Sequence, residues 1–143
     1  MLLLYFLHTN RYYRCLFYYR IGAILAMLIG WYRPGDRYFK FSHTSKVGKA
    51  VWFAHPYGTI LNAQSIGDNF SCLHLTTIGD IGGKRPVIGN NVSLGANVTI
   101  LGDVVIGDNV TVGAGSVVVK SVPSNCIVAG VPARIIKKLS LED

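Results

Sequence analysis

The 143-residue sequence is short of charge, and shortest of negative charge: 15% of residues are charged, and 7 Asp and Glu stand against 14 Lys and Arg. With half of the residues hydrophobic, charge-driven disorder is excluded and there is apolar material for one domain. Cysteine is scarce as well. Cys15, Cys72 and Cys126 show no metal-ligand spacing and cannot all pair within one chain, which excludes a disulfide scaffold, fits a reducing compartment and gives no reason to expect a metal. No apolar run reaches the about 20 residues that a membrane span needs. The longest, residues 21–32, meets Arg20 and Arg14 when extended backwards. It reads as a packed helix, with a peripheral membrane contact as the alternative. Residues 1–7 are apolar but lack a basic leader and a cleavage site, so a cytoplasmic location is expected rather than a signal peptide. The net charge of +7 admits nucleic acid, anionic lipid or a polyphosphate cofactor as partner. No nucleic-acid motif is present and the basic residues are split between the two ends, so nucleic acid is not expected.

Glycine, by contrast, is plentiful at 16 residues, so tight backbone geometry recurs. The texture of the chain changes along its length. Residues 1–33 are rich in Leu, Tyr and Arg without proline and predict one or two helices, followed by a turn at Pro34-Gly35-Asp36. From about Val47, Gly, Val, Ile, Asn and Thr dominate. The expected division is a helical segment over 1–40, a repeat domain over 41–123 and a tail over 124–143.

The repeat domain has a period of six. An aliphatic residue recurs at Ile88, Leu94, Ile100, Ile106, Val112 and Val118, and four residues after each comes Val92, Val98, Val104, Val110, Ser116 and Val122. Upstream the frame continues through Val47, Phe53, Ile60, Ile66, Cys72 and Ile78. This period is neither helical nor that of a long alternating strand. It fits short strands separated by corners, three hexads to a triangular coil, with coils stacked at about 4.8 Å and the first column turned inward. About four coils fit between Val47 and Pro123, and the helices and the tail are available to cover the ends. The frame breaks twice, between Phe53 and Ile60 and between Ile78 and Ile88. The second break loops out part of residues 80–87, whose Gly-Gly-Lys-Arg content favours binding over a neutral insertion.

The stretches AHPYGTILN (54–62), SIGDNFSCLHLTTIG (65–79), PVIGNNVSLGANVTILGDVVIGDNVTVGAGSVV (86–118) and VPSNCIVAGVPARII (122–136) resemble the hexapeptide-repeat acyltransferases. Within that family they are similar to the serine acetyltransferase-like branch, in a short form resembling polysaccharide O-acetyltransferases. The resemblance implies an all-β solenoid, specifically a left-handed parallel β-helix with a short N-terminal helical segment and a C-terminal tail. It also implies a homotrimer, acetyl-CoA held between neighbouring β-helices, and direct acetyl transfer to a hydroxyl.

Transfer to a hydroxyl needs a base, and a histidine suits that role. Of His8, His43, His55 and His74, His55 matches the family's catalytic histidine. His55 follows Phe53 by two residues and His74 follows Cys72 by two, with three repeats between, so the two histidines fall on one corner a coil apart. His74 is therefore the second catalytic candidate, with a plain surface corner as the alternative. Cys72 falls in the inward column and reads as an inert core thiol. By resemblance Gly95, Ala96, Gly113 and Ala114 are candidates to line the pantetheine arm. Lys120 and Arg134, with Lys137 and Lys138, are candidates for the CoA phosphates, a solvated surface being the alternative for each.

Two departures bear on the acceptor. Serine acetyltransferases carry acidic residues where this chain has Ala54 and, approximately, Lys40, and a histidine where Lys84-Arg85-Pro86 stands. Without carboxylates to hold an ammonium group, a saccharide hydroxyl is the expected acceptor. Serine is the alternative, and an inactive scaffold the second.

Overall fold

A computed structural model of the chain describes residues 2–30 and 38–139. The expected turn at Pro34-Gly35-Asp36 lies outside them. Among the described residues the first segment forms three helices rather than one or two: α1 (Leu2–Thr9), α2 (Arg11–Ile21) and α3 (Ala23–Gly30). Both breaks have local causes. Asn10 caps α2, its side-chain oxygen accepting from Tyr12 N at 3.1 Å and Tyr13 N at 3.0 Å. Gly22 has φ +86°, which a residue with a side chain rarely adopts and which ends the helical path. The packed-helix expectation for this run does not hold in α3, where Ile24, Leu25, Met27, Leu28 and Ile29 are each at least half exposed.

From Phe39 the chain winds in coils. The first holds β1 (Phe39–Phe41), β2 (Lys46–Val47) and β3 (Trp52–Phe53); the second β4 (Thr59–Leu61), β5 (Ser65–Ile66) and β6 (Ser71–Cys72). The third holds β7 (Thr77–Gly79), β8 (Val87–Ile88) and β9 (Ser93–Leu94); the fourth β10 (Thr99–Leu101), β11 (Val105–Ile106) and β12 (Val110–Val112). The fifth holds β13 (Val117–Val118), a bridge from Val122 to Ile106, and β14 (Cys126–Gly130). β15 (Ala133–Lys138) then returns antiparallel along β14. Each coil gives one strand to each of three sheets, ordered β1-β4-β7-β10-β13, β2-β5-β8-β11 and β3-β6-β9-β12-β14-β15. The fold is a left-handed parallel β-helix of about five turns. The stack begins earlier than the repeat pattern suggested, at Phe39, and β14 carries it past residue 123.

Both sequence columns from Ile88 to Val122 face the interior, none of their members more than 7% exposed. One upstream member does not. Ile60 is 42% exposed, whereas its neighbours Thr59 and Leu61 are fully buried and Leu61 pairs with Ile78. The coil still closes in register, because Phe53 pairs with Cys72. The first coil is plugged with aromatic rings instead of Val and Ile: Phe53 stands 5.0 Å from Phe39 and 6.0 Å from Phe41. α2 lies on this end. Tyr12 meets Phe39 at 6.2 Å, Tyr19 meets Phe41 at 4.9 Å, and Arg20 donates to the carbonyls of Val47 and Gly48.

Close stacking sets the corner residues. Between the second and third sheets, Asn69, Asn91, Asn109 and Asn125 all have φ between +55° and +59°. Their amides bond in sequence along the stack, each Nδ2 donating to the next Oδ1 at 2.9, 2.8 and 2.8 Å. Asparagine tolerates the left-handed region, and here its side chain joins the coils as well. Two residues before Asn69, Gly67 passes so near the next coil that a Cβ would stand 2.5 Å from the carbonyl oxygen of Gly89.

Gly67→Ala should force the second and third coils apart and cost about 2 kcal/mol or more, read as a lower Tm in thermal circular dichroism. An unchanged Tm would show that the coils are not close-packed there. Asn91→Ala removes two amide bonds and places alanine at φ +55°, so a loss of about 1–3 kcal/mol is expected, part of which Asn91→Gly should restore.

Candidate functional site

The corner between the third and first sheets is regular except at one level. Leu75 N donates to Tyr57 O at 2.9 Å, Asn97 N to His74 O at 2.9 Å and Gly115 N to Ala96 O at 2.8 Å. The donors occupy one corner position, all with positive φ, so the residues before them form a column: Tyr57, His74, Ala96, Ala114. With coils about 4.8 Å apart, the column is about 14 Å long.

His55 and His74 follow the paired residues Phe53 and Cys72 and stand at the same corner on adjacent coils, both exposed. The residue in line with His74 is nevertheless Tyr57. His55 and Pro56 are two extra residues where this corner joins β3 to β4, His55 exposed and Pro56 buried. His55 has φ +50°, a strained value for a residue with a side chain, and its carbonyl accepts from Tyr57 N at 2.6 Å. The insertion also disturbs the interior. At the following corner position Thr76 Oγ1 donates to Leu73 O at 3.0 Å and Ser116 Oγ to Gly113 O at 2.6 Å, whereas the buried Thr59 Oγ1 has no hydrogen-bond partner.

Two features here are not evident from the repeat pattern. Tyr57 is half exposed and its ring lies 5.0 Å from that of Tyr38, so an aromatic pair stands beside His55. Ile60, an aliphatic residue beside the inward Leu61, hides the two-residue insertion in the sequence, and the irregular interval after Phe53 is its signal. Neither departure residue supplies a carboxylate: Ala54 directly precedes His55, and the exposed Lys40 pairs with Ile60 in β1 and β4.

Towards the C-terminal end the column becomes small. Ala96 is half buried and Ala114 exposed. Stacking requires the first of the glycines before them whatever else it does: a Cβ on Gly95 would meet Ala114 N at 2.6 Å, whereas one on Gly113 would make a tight contact with Ala129 Cβ at 3.0 Å. Lys120 and Arg134 line one open cavity of about 430 Å³ together with Pro123 and Ile135. Lys137 and Lys138 are exposed on β15.

The loop after Ile78 is a short hairpin in which Ile81 and Lys84 pair across Gly82 (φ +61°) and Gly83 (φ +81°). Both of its cations are engaged. Lys84 Nζ meets Asp103 at 2.7 Å, which raises the lysine pKa, and Arg85 donates to Thr44 Oγ1 at 2.7 Å. These contacts tie coils together, a structural use of the Gly-Gly-Lys-Arg stretch. Among the described residues no three of His, Cys, Asp and Glu gather as a metal site.

Cys72 is fully buried, and desolvation pushes its pKa from 9.0 to about 12, a hydrogen bond with Thr76 opposing slightly. The neutral thiol thus contributes stability below pH 9.0 that is lost as pH rises towards about 12, because the unfolded chain releases its proton first. In mildly alkaline buffer, iodoacetamide should spare Cys72 in the folded protein and label it after unfolding, as read by peptide mass spectrometry. Rapid labelling of the native chain would contradict this placement.

A family described as bacterial transferase hexapeptide (six repeats) matches residues 85–120. A protein of Escherichia coli (strain K12), named provisionally as the colanic acid biosynthesis acetyltransferase WcaB, is 46% identical over 68% of this chain and 62% of its own length. A serine acetyltransferase from Brucella abortus strain S19, solved in complex with coenzyme A, superposes with a TM-score of 0.64 at 38% identity, covering 68% of this chain and 41% of that one. A maltose O-acetyltransferase from Clostridium difficile 630 superposes with a TM-score of 0.62 at 31% identity, covering 71% and 63%. The chain thus spans less than two thirds of the length of each of these proteins.

Proposed function

Since the chain belongs to the bacterial hexapeptide-repeat transferases, in their serine acetyltransferase-like branch, we propose that it is an O-acetyltransferase carrying acetyl from acetyl-CoA to a saccharide hydroxyl. The observation that carries this reading is the corner itself. A histidine is held outward at a strained φ by a two-residue insertion, at the head of an edge that narrows to alanines and ends near a cavity with two cations.

In the proposed reaction the imidazole of His55 takes the proton of the acceptor hydroxyl as its oxygen attacks the thioester carbon. The tetrahedral intermediate then collapses, the C–S bond breaks and the proton passes to the departing thiolate, leaving an O-acetyl ester and free CoA. No covalent enzyme intermediate is required. His74, one coil away, acts as a positioning residue for His55 or meets the acceptor. The pantetheine arm runs along Gly95, Ala96, Gly113 and Ala114, and Lys120 and Arg134 receive phosphate charge, with Lys137 and Lys138 nearby. The exposed Tyr38 and Tyr57 rings offer apolar faces on which a sugar ring can lie. A homotrimer, with acetyl-CoA between neighbouring β-helices, completes the reading. The names of the Escherichia coli and Clostridium difficile relatives favour a saccharide. Serine as acceptor is the second reading, favoured by the serine acetyltransferase superposition and opposed by Ala54 and Lys40 at the expected acid positions.

Free CoA released from acetyl-CoA should depend on added saccharide; release with serine and not with any sugar would overturn the acceptor assignment. His55→Ala should lower turnover by about 10²–10⁴-fold without changing the assembly mass, and His74→Gln should be milder. Tyr57→Ala should raise KM for the sugar about tenfold with kcat largely kept. An unaltered KM would remove the aromatic pair from acceptor binding.

A further inference from the structure

Acetyl transfer leaves one part of the surface without a use. The net charge of +7 arises entirely within residues 1–49, which hold eight Lys and Arg against Asp36 alone; residues 50–143 hold six Lys and Arg and six Asp and Glu. The same segment carries α3, whose Ile24, Met27 and Leu28 are 79%, 82% and 66% exposed, with Leu25 and Ile29 about half so. Isolated exposed aliphatics are ordinary, but five within one eight-residue helix form a patch. An open groove of about 620 Å³ joins this patch to one cation of the first coil: Ala26 and Met27 line it together with Tyr18, Phe41, Lys40 and His43. Lys46 and Lys49 are exposed in the same first coil.

An eight-residue helix is about 12 Å long, far short of the about 30 Å hydrocarbon layer. No helix among the described residues is long and apolar enough to cross a membrane. We propose that α3 and the first coil dock this protein on an anionic phospholipid surface. The aliphatic side chains of α3 enter the boundary between headgroups and acyl chains, and the first-coil lysines face the headgroup phosphates. Neither element suffices alone. Charge attracts the protein only within the ionic screening distance, and so short a helix buries little apolar area.

The test is flotation of the full chain with two kinds of vesicle, phosphatidylcholine alone and an equal mixture of phosphatidylcholine and phosphatidylglycerol. The protein should float with the mixed vesicles and not with the neutral ones, and added salt should reduce the floated fraction. Ile24→Glu with Leu28→Glu should weaken partitioning about tenfold or more while leaving the unfolding curve unchanged, since both side chains are exposed. Lys40→Glu with Lys49→Glu, which leaves α3 untouched, should weaken it similarly at low salt. The proposal is overturned if the protein does not float with anionic vesicles, or if the α3 variant floats as well as the parent. It is also overturned if light scattering shows the α3 variant at a lower assembly mass, since the patch would then be covered by a second copy of the chain.

Discussion

Neighbouring coils lie about 4.8 Å apart, joined by backbone hydrogen bonds along three parallel sheets, and the rest of the molecule follows from that spacing. At this distance some positions have no room even for a Cβ, as the contacts awaiting one on Gly67 and Gly95 show. The chain must also turn sharply, and the corners between the second and third sheets and between the third and first each place a residue at positive φ. Asparagine meets the second need between the second and third sheets and adds an amide ladder from Asn69 to Asn125. The interior is left with narrow columns that Val, Ile and Leu fill.

In so regular a stack, departures have to be accommodated or expelled. The hairpin after Ile78 is expelled and then tied back by Lys84 and Arg85 to other coils, so that it reinforces the solenoid. The His55-Pro56 insertion is accommodated differently. It leaves a histidine at positive φ on the outside and an unpartnered threonine hydroxyl within. Strain of this kind persists only where surrounding structure holds it, and it concentrates where side chains must be presented. Here it is next to an aromatic pair whose Tyr57 heads the small-residue edge.

A solenoid must also close its ends. β14 and β15 pair beyond the fourth coil at one end. At the other, Phe39, Phe41 and Phe53 fill the open coil and the tyrosines of α2 lie over them. Among the described residues, that closure is made by α2. It leaves the aliphatic side chains of α3 in solvent, and Lys40, Lys46 and Lys49 are exposed in the first coil.

The interior of the β-helix was legible in the residues from Ile88 to Val122, because burial every sixth position writes itself directly into side-chain type. The corner shared by His55 and His74 was legible too, since one coil separates Phe53 from Cys72 however the residues between are arranged. What lay between was not. Thr59, Ile60 and Leu61 are all compatible with a strand, and only the pairing of Leu61 with Ile78 decides which face is inward. That decision moved Tyr57 into line with His74 and made His55 the inserted residue. The exposure of α3 was equally hidden, because an apolar run looks the same in a core or in solvent until the elements around it have been placed. Sequence alone determined the repeat, its first inward column and the histidines' corner, which depend on local period. Tertiary structure decided what stands beside His55 and what stays uncovered, which depend on register and packing between distant residues.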